Sequence, residues 1–238
     1  MTASPPTVTV PLRWADIDQL AHVNNVAFLD LACAAHARLV DNGEIAPNPV
    51  CAVDIEYHRP LLLSAGQVDI SHVWHNNSLV QRIVAGDDVY ATVTIGYEAG
   101  RAPDVEGSAQ HRVSARHSDL DAGGQIGLIA LFEYMQEARI AFVTERIRHW
   151  AAGGFVVARV AMTAYHQVPL KPTPYGIHAA ITRVGTSSVS VHTQIVDGEH
   201  VYAAADSVLV GFDLERQTSR PFSDDERAVL LDAATPAV

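Results

Sequence analysis

Lysine is almost missing from this chain: Lys171 is the only one in 238 residues. Sixteen basic residues against 27 acidic ones leave a formal net charge of −11. That balance works against nucleic acid and anionic membrane as partners. It does not exclude a small polyanion, which would have to be held mainly by arginine. Cysteine is nearly as scarce. Cys33 and Cys51 both sit in apolar settings and read as small core residues of a chain from a reducing compartment, not as a disulfide. No apolar run reaches the roughly 18 residues a membrane helix needs. The opening MTASPPTVTV has no charged stretch followed by an apolar one, so no secretory signal is expected and the expected compartment is the cytoplasm. The 12 histidines are scattered without the spacing of a ligand set, so neither a metal nor a cofactor is expected.

What is present is a repeat, the feature to seek first in any chain. Arg13, Asp16 and Asp18 spell R-x-x-D-x-D, and Arg116, Asp119 and Asp121 spell it again 103 positions later. Each copy runs into an apolar helical stretch. IEYHRPL (Ile55 to Leu61) and TAYHQVPL (Thr163 to Leu170) then share Tyr-His followed by Pro-Leu, with His58 and His166 offset by 108. Beyond them, SLVQRIVAGDDVYATVTIGYE and SVSVHTQIVDGEHVYAAADSVLVGFD each read as a β-hairpin, β-branched and roughly alternating, turning at Gly86-Asp87-Asp88 and at Asp197-Gly198. The expected organisation is repeat 1 over 6–98, a linker over 99–109 rich in Gly, Pro, Asp and Ser, repeat 2 over 110–214, and a tail over 215–238. In the tail, Ser-Asp-Asp-Glu from Ser223 is a capping box ahead of a short helix.

The helices constrain the architecture. From Val26 to Val40 only Asp30, His36 and Arg38 are polar, so the helix must be buried on nearly all sides, which a flat sheet cannot do. The helix expected over Leu128 to Thr144 is similar, with Glu133, Gln136 and Glu137 on one stripe.

The string R-W-x-D-x-D-x-x-x-H-V-N-N before an apolar helix, followed by Y-x-R-P-L, resembles the acyl-CoA thioesterases of the hotdog fold, in particular the 4-hydroxybenzoyl-CoA thioesterase branch. In the second copy FEYMQEARIAF and the hairpin from Arg183 to Asp213 read the same way, and the likeness runs from about Thr7 to Asp213. The resemblance implies an α+β double hotdog: two repeats, each a long central helix wrapped by a curled antiparallel β-sheet, with active sites between paired repeats. It further implies hydrolysis of an acyl-CoA or acyl-carrier-protein thioester to free acid and thiol, and it leaves self-association into a homo-oligomer open. The plant acyl-carrier-protein thioesterases carry a similar string, but their catalytic asparagine falls on Leu20 here.

Thioester hydrolysis needs a base or nucleophile and a partner for the oxyanion. A carboxylate can do the first, and backbone amides at a helix N-terminus the second. The family's catalytic carboxylate falls on Asp18 in the first copy and on Asp121 in the second. Asp16 is expected to be structural, pairing with Arg13 or backbone amides. His22 can orient the substrate, polarise the thioester carbonyl or bond Asp18, or it is a plain loop histidine. Asn24 and Asn25 suit helix capping or substrate contact. The second copy has Gly123-Gly124-Gln125 where the first has Leu20-Ala21-His22. That site is therefore either inactive or works with Asp121, a glycine-rich turn and Gln125. The competing functions are a non-catalytic acyl-thioester-binding hotdog protein and, less favoured because its motif spacing is missing, a hotdog hydratase or dehydratase.

Overall fold

The computed structural model describes residues 7–18, 21–107, 109–146, 154–213, 215–216 and 218–234. The chain divides into two compact units, residues 1–99 and 100–238.

In the first unit, β1 (Thr7–Pro11) leads through a single 3₁₀ turn (Trp14–Asp16) into α1 (Asn25–Asp41). Then come β2 (Ala52–Tyr57), β3 (Gln67–His75), β4 (Ser78–Ala85) and β5 (Asp88–Gly96). The strands form an antiparallel sheet in the order β1-β3-β4-β5-β2. Period-two alternation sends Val68 and Ile70, Leu79 and Ile83, and Ala91, Val93 and Ile95 to a fully buried face. Helix α1 packs on β1, β4 and β5. Nine of its residues are buried, from Val26 through Leu39, while Ala37 and Arg38 face out. Burial thus covers most of the apolar surface of this helix and leaves an open edge at Ala37, Arg38 and Asp41, less than burial on nearly all sides.

The second unit repeats the plan. After β6 (His111–Val113), a 3₁₀ turn (His117–Asp119) precedes α2 (Leu128–Arg146). Next come β7 (Phe155–Ala164), β8 (Tyr175–Val184), β9 (Ser188–Asp197) and β10 (His200–Asp213). The order β6-β8-β9-β10-β7 matches the first unit strand for strand, with a two-residue β11 (Thr218–Ser219) added beside β10. Helix α2 packs on β6, β8 and β9. Its Arg139, at the position equivalent to His36, is 4% exposed and donates from Nη1 to the Ser207 hydroxyl at 2.9 Å.

The C-terminal helix α3 (Asp224–Ala234) lies on β8, with Leu230 packed into a cluster that includes Phe142, Val191 and Phe222. Its capping box closes in both directions. The Glu226 N–H donates to Ser223 Oγ at 3.2 Å, the Ser223 N–H donates to Glu226 Oε2 at 2.8 Å, and Arg220 grips the same carboxylate at 2.6 and 2.7 Å. The segment ahead of β6 is tied to the sheet by two glutamines. Gln194 accepts from the Glu106 N–H and donates to the Asp104 carbonyl, and Gln110 accepts from the Ala179 N–H. Among the described residues no helix is long and apolar enough to cross a membrane.

Candidate active site

Each unit carries a short loop between its 3₁₀ turn and its long helix, and the two loops are built alike. In the first, the Asp18 N–H donates to the His22 carbonyl (2.8 Å), the Ala21 N–H donates to the Asp18 carbonyl (3.1 Å), and the His22 N–H donates to Asp18 Oδ1 (3.1 Å). In the second, the Asp121 N–H donates to the Gln125 carbonyl (2.7 Å), and the Gly124 N–H donates to the Asp121 carbonyl (3.0 Å). Asp121 Oδ1 accepts from Gly123 N–H (2.8 Å) and from Gln125 N–H (3.1 Å). The turn needs a left-handed residue three places after the aspartate. Gly124 supplies it at φ 76°, and Ala21 adopts it at φ 60° despite its Cβ. Aspartate suits this position because its short carboxylate closes the turn on its own backbone. Both candidate carboxylates are therefore fixed in direction by their loops. Gln19 and Leu20 lie outside the described residues.

The loops are docked identically. Single bridges join Ile17 to Val23 and His22 to Leu62 in the first unit, and Leu120 to Ile126 and Gln125 to Pro169 in the second. The Val23 N–H donates to the Leu61 carbonyl and the Ile126 N–H to that of Val168, both at 2.8 Å. The shelves on which the loops rest are thus Leu61-Leu62 and Val168-Pro169, so the Pro-Leu pairs that the repeats share in sequence sit two places out of register. Asp18 and His22 are brought together through the His22 backbone, and His22 is half-buried beside Leu62. Next to Leu62 a cleft of about 490 Å³ opens, with Ser64, Gln67, Asp69 and Tyr90 supplying its polar lining.

Asp16, only 4% exposed, accepts from Arg13 N–H (2.7 Å) and Arg13 Nε (3.0 Å), and Arg13 reaches on to Asp30 of α1. It is a hinge pin between turn and helix. Its counterpart Asp119 accepts from Arg116 N–H (2.7 Å) and from the Tyr134 hydroxyl (2.5 Å). Burial pushes the Asp119 carboxyl up, but the hydrogen bonds from Tyr134, Arg116 and Ser118 outweigh it and hold the group below the usual carboxylate range. Burial, reinforced by Asp119, raises Tyr134 far above an ordinary phenol.

Asn24 is the N-cap of α1: its Oδ1 accepts from the Val26 N–H at 3.1 Å. Asn25 is the first helical residue, and its carbonyl accepts from the Tyr57 hydroxyl at 3.0 Å. Between His22 and Ala27 the amides of His22, Val23, Asn24, Val26 and Ala27 are engaged by Asp18, Leu61, Asp16 and Asn24. The Asn25 N–H is not among them. It points from the positive end of a 17-residue helix, the natural place for a developing oxyanion. In the second unit Gly127 replaces Asn24, so α2 starts without a side-chain cap from that position.

Three contacts escape a reading of the sequence alone: Tyr57 on Asn25, Tyr134 on Asp119, and Arg139 on Ser207. Only the first left a trace, as the Tyr-His shared by the two Pro-Leu motifs. Among the described residues no group of three or more His, Cys, Asp or Glu could hold a metal ion. Cys33 and Cys51 are unpaired, and burial together with the nearby Asp30 pushes the Cys33 thiol up to about 12.

No protein-family model matches the chain, and no curated protein sequence matches it. Solved structures do. A Lactobacillus plantarum protein assigned as an oleoyl thioesterase shares 12% identity at a TM-score of 0.68, over 89% of this chain and 98% of its own. The 12:0-ACP thioesterase of Umbellularia californica shares 8% at 0.64, over 91% and 94%. An acyl-ACP thioesterase of Bacteroides thetaiotaomicron shares 11% at 0.59, over 86% and 97%. At such identities the likeness establishes the fold alone: the chain folds as these three proteins do.

Proposed function

We infer that the chain is a tandem, double-hotdog thioester hydrolase, with repeats over 6–98 and 110–214, that cleaves acyl-CoA or acyl-carrier-protein thioesters to free acid and thiol. The observation that carries this reading is the Asp18 loop: a carboxylate held by the His22 backbone at the mouth of a helix whose Asn25 N–H is left unengaged by its neighbours, in a chain with the fold of thioesterases. The thioester carbonyl oxygen would lie at the Asn25 amide, where one preorganised donor contributes roughly 2.7–4 kcal/mol to the transition state. Asp18 would take the proton from an attacking water, or attack the carbonyl carbon itself to form an anhydride that water then opens. Either way the C–S bond breaks and the thiolate leaves with its electron pair. His22, beside Leu62 at the edge of the polar cleft, would position the thioester arm. Asp121 and Gln125 form the matching loop of the second unit and would serve a weaker or vestigial site.

One observation favours the second reading, an acyl-thioester-binding protein without turnover: both aspartates also serve as loop clamps and would stay in place without catalysis. The deciding experiment is thiol release by the purified protein from a panel of acyl-CoAs and acyl-carrier-protein thioesters. Steady turnover supports the hydrolase, saturable binding without thiol release supports the binder, and loss of enoyl absorbance would move the reading to a hydratase.

A further inference from the structure

Among the described residues of the first sheet, the buried polar side chains are His72 and Gln81. His72 on β3 and Gln81 on β4 are cross-strand partners in the ladder, on the same face as Ile70, Leu79 and Ile83. Gln81 is 0% exposed and His72 8% exposed, and among the described residues neither Gln81 Nε2, Gln81 Oε1 nor His72 Nδ1 has a hydrogen-bond partner. Three such atoms side by side in a core are costly to retain, because each has given up water for nothing. Val93 continues the same row on β5 and Ile55 on β2, so the wall around the pair is aliphatic.

The row has a definite address. Its neighbour, Ile70–Ile83–Ala91–Tyr57, ends at the tyrosine whose hydroxyl bonds Asn25 at the helix start. Two residues along a strand span about 7 Å and two strand spacings about 10 Å, so Gln81 lies about 12 Å from the Tyr57 position. On its far side, toward Trp74, the rim is aromatic. Tyr97 stacks on Trp74, which is half-exposed, and its hydroxyl lies 3.1 Å from His36 Nε2.

We propose that His72 and Gln81 form a specificity site in the interior of the first unit for a hydroxyl group carried on the chain of the ligand, several carbons from its acyl head. An amide side chain with both ends unpartnered offers a donor and an acceptor together, and a hydroxyl is the small group that answers both at once. A ketone would satisfy only the donors, and a plain alkyl chain would satisfy none. The ligand class is therefore a hydroxylated acyl chain. This assignment rests on the acyl-thioester reading for its ligand, but not on turnover.

The test uses the full chain and pairs of ligands equal in length, one unsubstituted and one with a hydroxyl at successive mid-chain carbons. As acyl-CoAs they give a ratio of kcat/KM. As free acids they give a ratio of Kd by calorimetry. The expected result is a preference of at least tenfold for the hydroxylated chain at one position, falling to within twofold in Gln81→Met and likewise in His72→Phe. The two variants fail independently, and a melt on each guards against misfolding. Equal wild-type ratios at every position would overturn the proposal and leave the pair satisfied by bound water alone. So would a preference that survives in folded Gln81→Met. If no thioester is cleaved, the hydrolase reading falls and the Kd ratio decides this one by itself.

Discussion

Asparagine at position 18 changes the charge of the loop while keeping its shape. Its side-chain oxygen can still accept the His22 N–H now held at 3.1 Å, and the turn tolerates asparagine as readily as aspartate. On the structural side the bond from the His22 N–H loses its charge assistance, about 1 kcal/mol, or roughly 2–4 °C of Tm for a chain of this size. What is lost on the chemical side is the base. Removal of a positioned general base typically costs 10²- to 10⁴-fold, or about 2.7–5.5 kcal/mol in barrier. The two losses differ enough to be separated. Asp18→Asn is expected to melt within a few degrees of the wild type and to release thiol from its best substrate at least a hundredfold more slowly at saturation. The equivalent change at Asp121 provides the comparison, because its Oδ1 likewise clamps loop amides, those of Gly123 and Gln125. If the first unit carries the chemistry, Asp18→Asn should cost at least tenfold more activity than Asp121→Asn, about 1.4 kcal/mol. His22→Ala should fall between, since it disturbs positioning and leaves the carboxylate. Near-normal turnover in Asp18→Asn would remove that carboxylate from the reaction. A larger loss from Asp121→Asn at equal Tm would move the reaction to the glycine-rich loop.

Further expectations concern stability. Asn24→Ala removes the side-chain cap of α1 and should lower stability by about 1 kcal/mol, a Tm decrease of roughly 2–4 °C, while Asn24→Ser should restore most of it. Ser207→Ala strips the hydroxyl that receives Arg139 in the interior of the second unit and should cost about 1–3 kcal/mol in denaturant melts; a neutral effect would mean that Arg139 does not depend on it. The His192–Asp206 pair (2.8 Å) sets a pH window. The hydrogen bond that His192 donates to Asp206 holds the imidazole above the usual histidine range, so its stabilisation is complete below about pH 6.5 and is lost as pH rises through the raised pKa. The same bond holds Asp206 below the usual carboxylate range, so its share is present above about pH 4 and is lost as pH falls through the lowered value. The Tm difference between wild type and Asp206→Asn should therefore be largest between about pH 4 and 6.5 and shrink on both sides. It should be small throughout, because the Asp206 side chain is 67% exposed and screened by solvent. A flat difference from pH 4 to 9 would show that charge plays no part.

Some of this protein could be read along the chain because the responsible interactions are local. A carboxylate that closes a turn on residues two to four places ahead, an asparagine that caps the amide two places on, and a glutamate that bonds a serine three places back are all settled within a few residues. That is why the two R-x-x-D-x-D copies, 103 positions apart, become two loops with the same hydrogen bonds, and why the helix expected over Val26–Val40 is found over Asn25–Asp41. The composition of that helix likewise announced burial on most of its sides, since burying apolar surface is the main driving term in folding.

Other features have no local cause. Nothing near Gln81 in the sequence says that its amide will sit opposite His72 with both ends unpartnered. Nothing near Asn25 points to the hydroxyl of Tyr57, 32 residues away, and Arg139 reads as one more surface arginine on a helix until Ser207, 68 residues on, meets it indoors. These contacts follow from strand register, in which a shift of one residue would turn every side chain to the opposite face. Register is chosen by the packing of the whole sheet against its helix, so the sequence by itself determined the loops and caps, while the polar points of the interior were decided only when the strands paired.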